Sequence, residues 1–184
     1  MDGLSTPAIG AVMVMVGVAW TAGEAPGRQS DDPSAFLHQL SGEWSVLAEA
    51  TLGPGQEPVR RESREVARVL GGKWLVAEGT GALGDQTFTS ILTLGYDPAE
   101  ERFVGTWIDS MQTHLWLYTG ILDDSGTALT LETEGPILGD PTRTAQYREV
   151  IEIRGADRKV MRSMILGPDG EWFEFARAEY RRVE

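Results

Sequence analysis

Among the side chains that could do acid–base or polar recognition chemistry are the only two histidines of the sequence, His38 and His114. His114 opens the run Thr113, His114, Leu115, Trp116, Leu117, Tyr118. Residues two apart in an extended strand share a face, so His114, Trp116 and Tyr118 point one way and Leu115 and Leu117 the other. The first set is aromatic with polar tips, which suits the wall of a small-molecule cavity. The leucine face is the simpler one to bury, against a helix or an outer core. Upstream, Phe103, Gly105, Trp107 and Asp109 alternate in the same way. A four-residue loop pairs Asp109 with His114 and Trp107 with Trp116, whereas a three-residue loop puts the two sets on opposite faces; the first register is preferred. His114 with Asp109 or Glu149 is then a candidate general acid–base pair. A core histidine that ties the hairpin together is the structural alternative. A Ser110–His114–Asp109 triad fails on reach, because four extended residues separate Ser110 from His114 by about 13 Å. No nucleophile elbow or oxyanion-hole pattern accompanies it. His38 falls on a short predicted helix and reads as solvent-facing or part of a lid.

Two charges sit where alternation predicts apolar residues. Glu149 shares its face with Tyr147, Ile151 and Ile153, and Arg162 is flanked at two-residue spacing by Val160 and Met164. A buried charge is costly unless paired, so an interior Glu149–Arg162 pair is expected. It would serve either as the polar anchor for a ligand's head group or as a structural ion pair. Residues 79–84 (GTGALG) match the dinucleotide pattern G-x-G-x-x-G. That fingerprint requires a helix next, and residues 86–97 (QTFTSILTLGYD) alternate with period two instead. The motif is therefore a glycine-rich hairpin. With no cysteine, thiolate metal sites, iron–sulfur clusters and cysteine nucleophiles are excluded. No histidine or carboxylate cluster has metal-ligand spacing, so neither a metal nor a cofactor is expected.

These residues must be positioned by one domain, since 184 residues with 41% hydrophobic and 24% charged content suit a single globular unit. A net charge of −12 repels polyanions and anionic membrane surfaces. The Arg-rich run at 59–68 (VRRESREVAR) interleaves Glu62 and Glu65, which makes it a mixed-charge strand face and not a nucleic-acid patch. Residues 7–20 (PAIGAVMVMVGVAW) are apolar, but fall short of the roughly 20 needed for a stable membrane span. Their length suits a signal-peptide core, yet Asp2 precedes them without Lys or Arg. Cytoplasmic placement is favoured over export. Residues 1–31 are taken as an extension and 32–184 as the domain.

The domain opens with a helix at 32–40, where Asp32 suits the N-cap, Pro33 the first turn, and Phe36, Leu37 and Leu40 form an apolar stripe. After Gly42 the period becomes two. Strand-like runs follow at 43–52, 59–70, 73–81, 87–97, 102–109, 113–122, 128–134, 145–154, 159–166 and 171–182, separated by Gly-, Asp- and Pro-rich turns. Short separators join antiparallel neighbours, and closure removes the exposed edges of so many strands. The expectation is an all-β fold, a single antiparallel up-and-down β-barrel of about ten strands.

Gly42-Glu43-Trp44 after a short helix resembles the opening of the calycins, the lipocalin and fatty-acid-binding-protein barrels. The resemblance implies a structural latch in which Arg181 or Arg182, in AEYRR, lies against Trp44. From Phe36 onward the blocks FLHQLSGEW, LGGKWLVAEG, TLGYDPAEERFVGTW, SMQTHLWLY, LTLETEGP and EFARAEYRR resemble the bacterial domain of unknown function 1579 family. That similarity implies a calycin-like barrel and no established activity. The haem-binding nitrobindins are also ten-stranded barrels of this kind, but with no histidine after Leu115, haem would need His114. The expected function is binding of a small apolar or amphipathic molecule in the barrel, with Trp107, His114, Trp116, Tyr118, Tyr147, Glu149 and Arg162 as the ligand-facing set. The alternatives are an enzyme using His114 with an Asp or Glu, and a structural or interaction barrel with a filled core.

Overall fold

The computed structural model describes residues 32–51, 57–137 and 140–183; the signal-like stretch lies outside them. Helix α1 (Ser34–Leu40) is followed by strands β1 (Gly42–Ala50), β2 (Val59–Leu70), β3 (Trp74–Leu83), β4 (Gln86–Asp97), β5 (Arg102–Asp109), β6 (Trp116–Leu122), β7 (Ala128–Ile137), β8 (Asp140–Ile153), β9 (Arg158–Leu166) and β10 (Trp172–Arg182). Each strand pairs antiparallel with its sequence neighbours, and β1 pairs with β10 to close a ten-stranded barrel. The expected fold is the observed one.

The strand bounds depart from the sequence reading by three residues or more at two places. β6 begins at Trp116, because Asp109 accepts the N–H groups of Met111 at 2.6 Å and Gln112 at 3.1 Å and so organises a longer loop. β7 and β8 extend through Gly135-Pro136 and Asp140, beyond the runs 128–134 and 145–154 read from sequence. Pro136 is accommodated at a bulge, the usual place for a proline within a sheet, and its carbonyl accepts the Tyr147 hydroxyl at 2.9 Å.

The helix closes one end of the barrel. Asp32 accepts the Ser34 N–H at 2.9 Å and the Ser34 hydroxyl at 2.7 Å, organising the start. Phe36, Leu37 and Leu40 are fully buried in a cluster with Ala67, Leu75, Ala77, Leu94 and Phe103. Phe36 and Tyr96 both meet Phe103 edge-on, at ring distances of 6.0 and 5.4 Å. Leu115 and Leu117, expected to be buried, lie on the outer wall at 50% and 63% exposure. Nothing packs outside β6 among the described residues, so the side opposite the cavity wall faces solvent.

The closing seam carries the densest polar chemistry. Trp44 is 1% exposed, and its Nε1 donates to the Leu40 carbonyl at 3.0 Å. The Arg182 guanidinium lies 4.2 Å over the Trp44 ring and donates to the carbonyls of Ser41 (2.8 Å), Gln39 (3.3 Å) and Ala156 (3.0 Å). Gly42 permits this crossing: its φ is +121°, and a Cβ there would sit 2.1 Å from Arg182 Nη1. Of the two candidate arginines, therefore, Arg182 covers Trp44. Arg181 alternates to the outer face and is exposed. Within the seam Lys159 Nζ sits 4.5 Å from the Trp44 ring and 4.6 Å from the Tyr180 ring, and pairs with Glu65 Oε1 at 2.6 Å.

Arg182→Ala is expected to cost about 2–4 kcal/mol, since it strips charged donors from three carbonyls. Arg181→Ala should stay within about 0.5 kcal/mol of the parent. Urea unfolding of the two variants side by side checks this, and equal losses would mean that the seam does not depend on Arg182.

Candidate functional site: the barrel interior

The barrel is not filled. A cavity of about 590 Å³ runs along its interior, within the range of small-molecule sites. Alternation along the strands supplies its wall: Val46 and Ala48 from β1, Ala77 and Gly79 from β3, Phe88, Ser90 and Leu92 from β4, and Leu131 from β7. Its outer end passes Gln112, Pro136 and Ile137, away from the helix-plugged end.

An aromatic collar forms this outer part. Trp107 and Trp116 are directly paired across β5 and β6, the register expected from a four-residue loop. Trp116 meets Tyr147 edge-on at 5.1 Å, and Tyr147 meets Phe175 at 6.0 Å. Gly135 lies beneath Trp116, where a Cβ would come within 2.3 Å of the indole ring. Phe175 reaches the cavity because of a register shift between Glu174 and Ala176. Counting back by twos from Tyr180 would have placed Glu174 inside; the bulge turns that carboxylate outward and Phe175 inward.

Deeper in, Tyr118, Glu149, Ser163 and Tyr180 bring the polar atoms of the wall together. Glu149 pairs in register with Leu131 on one side and Ser163 on the other. Its carboxylate accepts the Ser163 hydroxyl at 2.5 Å. Burial pushes its pKa from 4.5 to about 8, against the smaller opposing effect of that hydrogen bond. Burial also raises Tyr118 and Tyr180; the Glu149 charge raises Tyr118 further, and the Glu65 charge and then the Glu149 charge raise Tyr180 further.

The expected Glu149–Arg162 pair does not form. Arg162 faces outward, opposite Val150, and is bound by Glu152 at 2.9 Å and Glu174 at 3.8 Å. The face it shares with Val160 and Met164 is the outer one, where charged neighbours stand in for water. Arg162 is therefore not in the ligand-facing set. His114 also stands back from the cavity, its ring edge-on to Trp116 at 4.8 Å. Its Nε2 is buried with no hydrogen-bond partner among the described residues, as is Trp116 Nε1. Asp109 is occupied by its own loop, Ser110 bonds to the Thr89 backbone and Glu149 to Ser163, and among the described residues none of them hydrogen-bonds to His114. Trp107, Trp116, Tyr118, Tyr147 and Glu149 do line one cavity.

Several residues of the interior escaped the sequence reading. Ser163, Phe175, Tyr180 and Glu65, the partner of Lys159, line the cavity. Lys159 did carry a signal: it is one of two lysines in the chain, in phase with Met161 and Ser163. The glycine-rich motif takes its place as the β3–β4 hairpin, with Gly79 on the cavity wall and Gly84 in the turn. Among the described residues no group of three or more histidine or carboxylate side chains is gathered as a metal site, and no helix is long and apolar enough to cross a membrane.

A family model described as a protein of unknown function (DUF1579) matches residues 29–182. The chain belongs to this family. No curated protein matches it significantly. Among solved structures it is similar to Rv2717c from M. tuberculosis, at 14% identity and TM-score 0.54, over 83% of this chain and 98% of that one. A redesigned β barrel also matches, at 10% identity and TM-score 0.44, over 80% of this chain and 95% of the other. At these identities the likeness to Rv2717c speaks for the barrel fold alone.

Glu149 makes stability depend on pH in a definite direction. Between about pH 4.5 and 8 the unfolded chain has released this proton while the folded one retains it, so stability falls as pH rises through that window. Glu149→Gln should therefore be more stable than the parent at pH 8.5, with the difference vanishing near pH 4.5. Urea midpoints at several pH values test this, and parallel curves for the two proteins would refute it.

Proposed function

We propose that this protein binds a small apolar or amphipathic molecule inside the barrel. The observation that carries the reading is the cavity of about 590 Å³, walled mainly by apolar and aromatic side chains and holding a few convergent polar groups. A barrel whose only task was structural would gain from filling such a space, since each unfilled volume forfeits packing contacts. Trp107, Trp116 and Tyr147 supply large apolar area near the outer end, while Tyr118, Glu149 and Ser163 supply polar contacts deeper in. The latch residues Trp44 and Arg182 serve the fold and take no part in binding.

Native mass spectrometry of gently purified protein, together with titration of the neutral probe N-phenyl-1-naphthylamine, tests this reading. The parent should take up the probe with enhanced fluorescence. Ala48→Trp, which places an indole in the cavity, should reduce uptake at least tenfold while keeping the parent's far-ultraviolet circular dichroism. Absence of both bound species and probe uptake in the parent would overturn the proposal.

A further inference from the structure

The cavity is asymmetric in charge. Three of its lining residues carry ionisable groups other than phenols: Arg64, Glu65 and Glu149. Arg64 is well exposed and turns to Glu43, 3.3 Å away. Glu65 is neutralised by Lys159 at 2.6 Å. Glu149 alone faces the cavity with no counter-ion among the described residues, its one hydrogen-bond donor being Ser163. The arginines on the neighbouring strand positions do not help it. Arg148 is drawn outward to Glu132 at 2.6 Å and stacks 4.1 Å over Trp172, and Arg162 is held by Glu152 and Glu174.

Such an interior is unsuited to a ligand carboxylate. A fatty-acid carboxylate would have to keep its charge beside the Glu149 carboxyl with no unpaired cation inside to offset it, since Lys159 is already bound to Glu65. The same barrel shows how it houses a positive charge. The Lys159 ammonium sits between the Trp44 and Tyr180 rings, at 4.5 and 4.6 Å, with the Glu65 carboxylate completing its shell. Glu149 offers similar components: its carboxyl lies near the Tyr118 and Tyr180 phenols, and the indoles of Trp107 and Trp116 line the same cavity farther out.

Resting on the reading of the barrel as a small-molecule binder, we propose that its ligand is a lipophilic amine. The ammonium pairs with Glu149 beside Tyr118, Tyr180 and Ser163, and the apolar body fills the aromatic part of the cavity. The molecule's net charge of −12 would also concentrate cations near its surface.

Binding of an ammonium is then linked to protons. The groups facing Glu149 are Leu131 from β7, Ser163 from β9, Tyr118 from β6 and Tyr180 from β10, with the neutralised Glu65–Lys159 pair beside Tyr180. Both phenols stay protonated through neutral pH, so Glu149 is the group that must release a proton when the cation arrives.

A matched set of octylammonium, octanol and octanoate, titrated calorimetrically into the whole protein and into Glu149→Gln at pH 8, tests the assignment. The parent should bind octylammonium at least tenfold more tightly than octanoate, with octanol between them. Glu149→Gln should weaken octylammonium at least tenfold and leave octanol within threefold. At pH 7 the parent's octylammonium enthalpy should vary with the buffer's ionisation enthalpy, reporting proton release, and the variant's should not. Octanoate binding as tightly as octylammonium, or an amine affinity unchanged by Glu149→Gln, would overturn the charge assignment while octanol binding left the cavity reading standing. Failure of all three compounds in a protein that takes up N-phenyl-1-naphthylamine would overturn the amine assignment alone, and failure of the probe as well, with no bound species in the native mass spectrum, would overturn both.

Discussion

An ammonium group taken out of water costs several kcal/mol unless its surroundings replace the lost hydration. Lys159, whose side chain is 6% exposed, is placed in that situation at the seam of the barrel. Its replacements come from separate elements: Glu65 on β2, the Trp44 ring on β1, the Tyr180 ring on β10 and the Leu40 carbonyl at the end of the helix. Burial, with a smaller effect from the Arg182 charge, pulls the Lys159 pKa down, and the Glu65 carboxylate works against that. The charge is tolerated only when β1, β2, β9, β10 and α1 are in one register. Side chains on a strand alternate, so a slip of one residue would reverse every face. Glu149 and Tyr180 would then leave the cavity, and Arg162 would enter it. The interior chemistry depends on that seam.

Two inward-facing carboxylates show what the seam makes different. Glu65 meets an ammonium; Glu149 meets a hydroxyl and open volume. Glu65 lies on β2, whose arginines Arg60, Arg64 and Arg68 pair with Glu49, Glu43 and Glu78. Glu149 lies on β8, whose Arg148 pairs with Glu132, while Arg162 on the neighbouring β9 pairs with Glu152 and Glu174. Glu149 is thus a buried acid that keeps its proton near neutrality, with burial as the cause. Charged networks outside and an unpaired acid inside give the wall opposite electrostatic characters on its two sides. The outer pairs are partly exposed and contribute little stability each. Their consequence for the site is that they keep cations out of the cavity.

The aromatic collar has a different origin. Trp116 can cross the interior because Gly135 leaves room beneath it, and Tyr147 is fixed by its bond to the Pro136 carbonyl at the β7 bulge. Phe175 joins them through a second irregularity, in β10, where Thr51 N–H donates to the Phe175 carbonyl at 2.7 Å. Regular strands build the barrel, and two interruptions in them shape its cavity.

Most of the architecture was legible in the sequence. Period-two alternation, turn residues and the helix stripe of Phe36, Leu37 and Leu40 depend on neighbours a few positions apart, and these are written in order along the chain. The inward direction of Trp116, Tyr118, Tyr147 and Glu149 followed from the same alternation, whereas the place of Trp44 against a terminal arginine came from the resemblance to the calycins. What alternation could not supply was which of two faces meets the cavity when both look apolar, as with Arg162 among Val160 and Met164. It could not reveal the bulge that exchanges Glu174 for Phe175, nor the choice of Arg182 over Arg181. The partner of each buried charge was equally hidden, since Lys159 meets Glu65 from 94 residues away. The sequence by itself determined an all-β barrel and the side chains available to its interior. Only the tertiary structure decided which charges are neutralised and which space stays open, because both depend on strands brought together by closure and not on spacing along the chain.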